Sequence, residues 1–124
     1  MQILATLCAV ILTVLCWRPL RKLSPGSVLL ATPPLEEGAK TLAAWSFAVP
    51  IFQVHLGFGL AEAFFELSRR KWAASLAALL THTIFGLGAI CAFSRGYLAS
   101  LAASLVLHFF WNFFIYRLQL KRGI

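Results

Sequence analysis

The stretch "TLAAWSFAVPIFQVHLGFGLAEAFFELSRRK", residues 41–71, decides how this chain folds. Read as one helix reaching back to Glu36 and ending at Ser68, it would be roughly 50 Å long at ~1.5 Å per residue. A hydrocarbon core is only ~30 Å thick. Read with a break at Pro50, it becomes two pieces of membrane length. The basic residues separate these readings. With the break, five apolar segments run roughly over 2–17, 27–49, 51–68, 72–93 and 97–116. The clusters Arg18/Arg21/Lys22, Arg69/Arg70/Lys71 and Arg117/Lys121/Arg122 then share one side, and Arg95 lies opposite. Without the break, the clusters are split across the membrane. The positive-inside rule therefore predicts an all-α, polytopic transmembrane bundle of about five helices, N-terminus outside and C-terminus cytoplasmic.

Composition points the same way. The 124 residues are 60% hydrophobic, with a mean hydropathy of +0.84, more apolar than soluble domains of this size. One membrane domain is expected, with residues 1–23 as an accessory first helix and 27–118 as a four-helix core. The first segment lacks the basic leader and the small-residue cleavage site of a signal peptide, so it reads as a retained helix. A net charge of +7 could suit nucleic acid. Clusters placed between apolar runs suit anionic headgroups better, so the expected partner is the lipid bilayer and no nucleic acid. The expected location is integral and multi-pass, in a bacterial or archaeal cell membrane. Cys8, Cys16 and Cys91 lie in apolar runs without metal spacing and read as packing residues.

All four acidic residues are glutamates within or against apolar segments: Glu36, Glu37, Glu62 and Glu66. An ionisable group inside a span costs about 2.5–3.5 kcal/mol on insertion scales, so it usually faces the bundle interior. Glu36 and Glu37 follow Thr32-Pro33-Pro34, a sequence suited to a helix start, with Ser27 as an earlier alternative. Lys40 lies four and three residues beyond the pair and can neutralise or orient it. Two adjacent carboxylates in low dielectric do not both ionise cheaply, which poises one as a base. His55, Gly59, Glu62 and Glu66 share one helical stripe. Glu66 is expected to pair at the surface with Arg69 or Arg70, and His55 and Gln53 to be hydrated at the outer interface. Glu62 is expected to lie deeper.

Counted at ~1.5 Å per residue from the cytoplasmic ends, Glu62 is roughly 10 Å in, His82 roughly 15 Å, His108 roughly 13 Å and Asn112 roughly 8 Å. Glu36 and Glu37 fall between about 5 and 15 Å. These side chains share a layer and can meet. Glutamate, histidine and asparagine together can hydrolyse an amide. The carboxylate takes a proton from water, a histidine assists, and a histidine–asparagine pair donates to the oxyanion.

The set "EEGAK" (36–40), "FGLAE" (58–62), "HTIFGLG" (82–88) and "HFFWN" (108–112) resembles the glutamate intramembrane proteases. That superfamily joins the CAAX prenyl proteases and bacteriocin-processing enzymes (CPBP), the PrsW-type proteases and the non-catalytic APH-1 subunits of γ-secretase. The nearest likeness is to the PrsW-type branch, through Glu36-Glu37-x-x-Lys40, Phe58-x-x-x-Glu62, His82 and His108-x-x-x-Asn112. Thr41 and Glu62 stand where the CAAX branch carries arginine and histidine. The resemblance implies an intramembrane endopeptidase. Glu36 and Glu37 would carry the activating carboxylate, His82 or Glu62 would assist, and His108 and Asn112 would line the oxyanion site. Lys40 and Phe58 would support them, and no metal or cofactor is expected. Two alternatives stay open. Zinc held by the same residues would activate the water, or the cluster would bind a partner membrane subunit in a non-catalytic scaffold.

Overall fold

The computed structural model describes residues 1–20, 22 and 25–122. These form five α-helices: α1 Gln2–Leu20, α2 Pro25–Ser46, α3 Ile51–Ser68, α4 Trp72–Ala92 and α5 Tyr97–Arg122. A 3-10 turn, Phe93–Arg95, joins the last two. There is no strand among the described residues. Arg21, part of the basic cluster after α1, lies outside them.

The break at Pro50 is real, and its chemistry is visible in the backbone. The Ala48 N–H donates to the Trp45 carbonyl at 3.2 Å, and the Val49 N–H donates to Ala44 at 3.0 Å. This Schellman arrangement satisfies the last carbonyls of α2. Pro50, with φ −58° and ψ 128°, then leads into α3. The end of α3 repeats the device: Arg70 N–H to Leu67 at 2.9 Å and Lys71 N–H to Glu66 at 3.0 Å. Ala48 and Arg70 occupy the left-handed position, at φ 49° and 59°. Such short connections make successive helices antiparallel neighbours.

Gly96 has φ 98° and ψ 173°, a region open essentially to glycine alone. Two substitutions should therefore move stability in opposite directions. Gly96→Ala is expected to cost about 1–3 kcal/mol. Ala48→Gly relieves about 1–2 kcal/mol of left-handed strain against about 0.5–1 kcal/mol of added chain entropy. Thermal unfolding of both variants in detergent checks the pair.

Of the two starts considered for the helix carrying the glutamates, the earlier holds: it begins at Pro25, two residues before Ser27, and runs through Pro33 and Pro34 instead of starting at them. Proline inside a helix removes an N–H donor and crowds the preceding turn. Here Pro33 is completely buried, so it contributes packing where it forfeits a hydrogen bond.

The closest helix pair is α3–α4, and glycine sets its separation. A methyl at Gly59 would stand 2.7 Å from the His82 Cβ, and one at Gly86 would stand 2.9 Å from the His55 Cβ. Each helix thus seats a histidine of the other against its bare backbone, the close approach that small residues allow between membrane helices. Helix α5 packs on α4 and α2, closing a ring of four, and α1 packs on α2 and α3. The α1 contact runs along Ala5, Ala9 and Thr13, all buried one turn apart.

Polarity is distributed inside out. Leu98, Phe64, Trp72 and Phe110 are each more than 70% exposed, whereas Glu37, Lys40, His55, Ser100 and Ser104 are fully enclosed. Two helices, Trp72–Arg95 and Tyr97–Leu118, are long and apolar enough to cross a membrane. Cys16 and Cys91 lie on the outer surface and only Cys8 is partly buried, so interior packing does not explain the first two. Glu66 pairs with Lys71 at 3.7 Å rather than with Arg69, whose guanidinium lies 4.0 Å from the Phe65 ring.

Candidate active site

Four helices each send polar side chains to one point. Helix α2 supplies Glu36 and Glu37 and, one turn later, Lys40; α3 supplies His55 and Glu62, α4 His82 and α5 His108. At the centre is Lys40, fully buried. Its ammonium donates to Glu37 Oε1 at 2.6 Å and contacts His82 Nδ1 at 3.2 Å. It lies 3.7 Å from Glu36 Oε2 and 4.4 Å from the centre of the Phe58 ring.

The network has a direction, because an ammonium only donates. His82 Nδ1 must accept from Lys40. Its proton therefore sits on Nε2, which donates to Glu62 Oε2 at 2.7 Å. Both nitrogens of His82 are committed. On the other side, Glu37 Oε1 already accepts from Lys40 and also accepts from His108 Nδ1 at 2.9 Å. That leaves His108 Nε2, 3.9 Å from Glu36 Oε2, as the ring atom available to a substrate. Phe85 stacks on the His108 ring at 4.9 Å and meets His82 edge-on at 5.8 Å. Phe58 packs against His82 at 5.2 Å. The two phenyl rings fix both imidazoles.

Glu37 is bonded through one oxygen alone. Its Oε2 has no hydrogen-bond partner among the described residues. The group facing it is His55 Nε2, at 3.4 Å. Among the described residues, neither ring nitrogen of His55 has a hydrogen-bond partner. His55 is completely buried, not hydrated at an interface, and the Glu62 side chain is 47% exposed. The enclosure differs from what was expected: His55 is inside the bundle and Glu62 is the more exposed of the two. The sequence carried the signal for His55, since it shares the stripe with Gly59 and Glu62. Ser100 and Ser104 extend the buried face of His108 by two turns, and the Ser100 hydroxyl donates to the Ala89 carbonyl at 2.8 Å. Asn112, a turn beyond His108, is half-buried, and no hydrogen bond joins it to the cluster among the described residues.

Two sets of donors are close enough for a metal ion: Glu37, His55 and His82, and Glu36, Glu37 and His108, each within 4.8 Å. Both depend on Glu37, whose Oε1 holds the Lys40 ammonium. At an effective dielectric of 20, a dication ~4 Å from an ammonium would be repelled by about 8 kcal/mol. The donors fit a metal only if Lys40 leaves or loses its proton, so with Lys40 in place the cluster already contains its cation. Two open surface grooves lie elsewhere, along α2 and α5. One is lined by Trp45, Tyr97 and Leu101, the other by Leu30, Phe109 and Phe113. Both are apolar.

Compared with family models, curated proteins and solved structures, the chain matches none.

Proposed function

We propose that this chain crosses the membrane five times and hydrolyses a peptide bond in a membrane-embedded or membrane-proximal substrate, as a glutamate-dependent intramembrane protease of the PrsW-like kind. The exposed apolar side chains would face lipid. The basic clusters after α1, α3 and at the end of α5 would lie on the cytoplasmic side. The reading rests on the unequal oxygens of Glu37. Lys40 and His108 hold Oε1, which fixes the carboxylate and leaves the Oε2 lone pairs for a water molecule.

In this mechanism, Glu37 Oε2 takes a proton as the water oxygen bonds to the substrate carbonyl carbon. The carbonyl π pair moves onto its oxygen. Asn112, one turn beyond His108 on α5, and His108 itself, when its Nε2 also carries a proton, offer the oxyanion its hydrogen-bond donors, with Asn112 reaching the site once substrate is bound. Glu36 balances the positive charge of Lys40 from the opposite side at 3.7 Å. Glu62 at the rim anchors His82.

The test is co-expression with a panel of single-span membrane reporters, comparing wild type with Glu37→Gln. Cleavage of at least one reporter by wild type, reduced to background in a folded Glu37→Gln protein, is expected. A Glu37→Gln protein that still cuts sinks the proposal. So does stable capture of a membrane subunit without turnover of any reporter, the behaviour of a scaffold.

A further inference from the structure

The mechanism above takes a proton onto Glu37 and must return it to the leaving nitrogen. His82 is badly placed for that task, because Lys40 and Glu62 occupy both of its ring nitrogens. His108 spends Nδ1 on the wrong oxygen, Oε1. One imidazole remains. His55 is fully enclosed, unbonded at both nitrogens, and faces the free oxygen of Glu37 at 3.4 Å. A buried imidazole without hydrogen bonds is costly and needs an explanation. Gly86 explains how it is held. The bare backbone of α4 lets the His55 Cβ sit where any side chain at position 86 would collide with it.

We propose that His55 is the proton carrier of this site. The proposal rests on the hydrolytic reading above. Once Glu37 Oε2 has taken the proton of the attacking water, the proton passes to His55 Nε2. It is then donated to the substrate nitrogen as the C–N bond breaks and its electron pair stays on nitrogen. One water is consumed, and a carboxylic acid and an amine leave. Glu37 and His55 return to their starting states. His55 is then a catalytic residue, and His82 is a positioning residue that acts through Lys40.

The experiment uses a reporter that wild type cleaves, with purified full-length protein in detergent. His55→Ala and His55→Gln should each lose about 10²–10⁴-fold in turnover, with little change in the substrate concentration giving half-maximal rate. Added imidazoles should restore cleavage by His55→Ala, and faster as the imidazole is more basic. A merely structural His55 would not give that dependence. Helical signal and elution volume verify the fold of both variants. Turnover near the wild-type level in folded His55→Gln, or rescue unrelated to basicity, overturns the role of His55 and leaves the hydrolytic reading standing. Loss of the fold in both variants marks the residue as structural and also overturns it. Cleavage by Glu37→Gln, or no reporter cut by wild type, removes both readings together.

Discussion

Lys40→Met is expected to cost about 3–5 kcal/mol of stability. The lysine and Glu37 are both fully enclosed, 2.6 Å apart. Removing the ammonium leaves a carboxylate in a low-dielectric interior with no counter-charge. The lost ion pair accounts for less of this penalty than the charge left behind. The double variant Glu37→Gln/Lys40→Met should therefore recover most of the loss, because neither charge remains to be desolvated. A double-mutant cycle by chemical or thermal unfolding in detergent measures the coupling, expected to exceed about 1 kcal/mol. Additive losses from the two single variants would show that the two charges are not coupled. Lys40→Met should also release His82, since the tautomer that donates to Glu62 is set by the lysine.

The second large effect is expected at the α3–α4 contact. Gly86→Ala and Gly59→Ala each place a methyl within 2.9 Å of a histidine Cβ. A Cβ cannot swing aside as the end of a flexible side chain can, so the helices must separate. Overpacking of this kind costs about 1–3 kcal/mol. The two losses should be less than additive, since one separation relieves both clashes. Gly86→Ala should reduce cleavage beyond its effect on stability, because it moves His55 away from Glu37. Gly38→Ala is the control. Nothing lies within 4 Å of the position a methyl would take, so alanine there should stabilise α2 by about 0.5–1 kcal/mol. Unfolding midpoints and reporter cleavage of the three variants separate packing from chemistry.

Much of the architecture was legible because the chain punctuates its helices strongly. Pro50, the basic run Arg69–Lys71 and Gly96 each interrupt an apolar segment, and the helices end within a few residues of them. The meeting of Glu36, Glu37, His82 and His108 followed from depth counted along the helices. Rise per residue is a rigid geometric quantity, so such counting survives ignorance of the packing. What depth does not give is azimuth. His55 and Glu62 lie on the same stripe, seven residues apart, yet one is enclosed and the other half exposed. Which end of a stripe turns inward depends on how the neighbouring helix crosses it. That crossing is set by Gly59 and Gly86 together, across two segments. Pro33 and Pro34 misled for the opposite reason. Local propensity reads them as a start, and burial of Pro33 in the bundle overrides it.

The uneven apolarity of the five helices has a consequence for how such a molecule is made. Among the described residues, only the last two pass the length and composition test for crossing a bilayer unaided. Yet α2, with its two carboxylates and ammonium, leaves the ribosome before either. If all five cross, α2 has only its internal ion pairs, without the histidine partners of its charged cluster, while α4 and α5 are still being synthesised. Biogenesis then depends on sheltering α2, in the translocation machinery or at the headgroup level, until His82 and His108 arrive. The final hairpin would act as an internal chaperone for the segment that carries the buried charges.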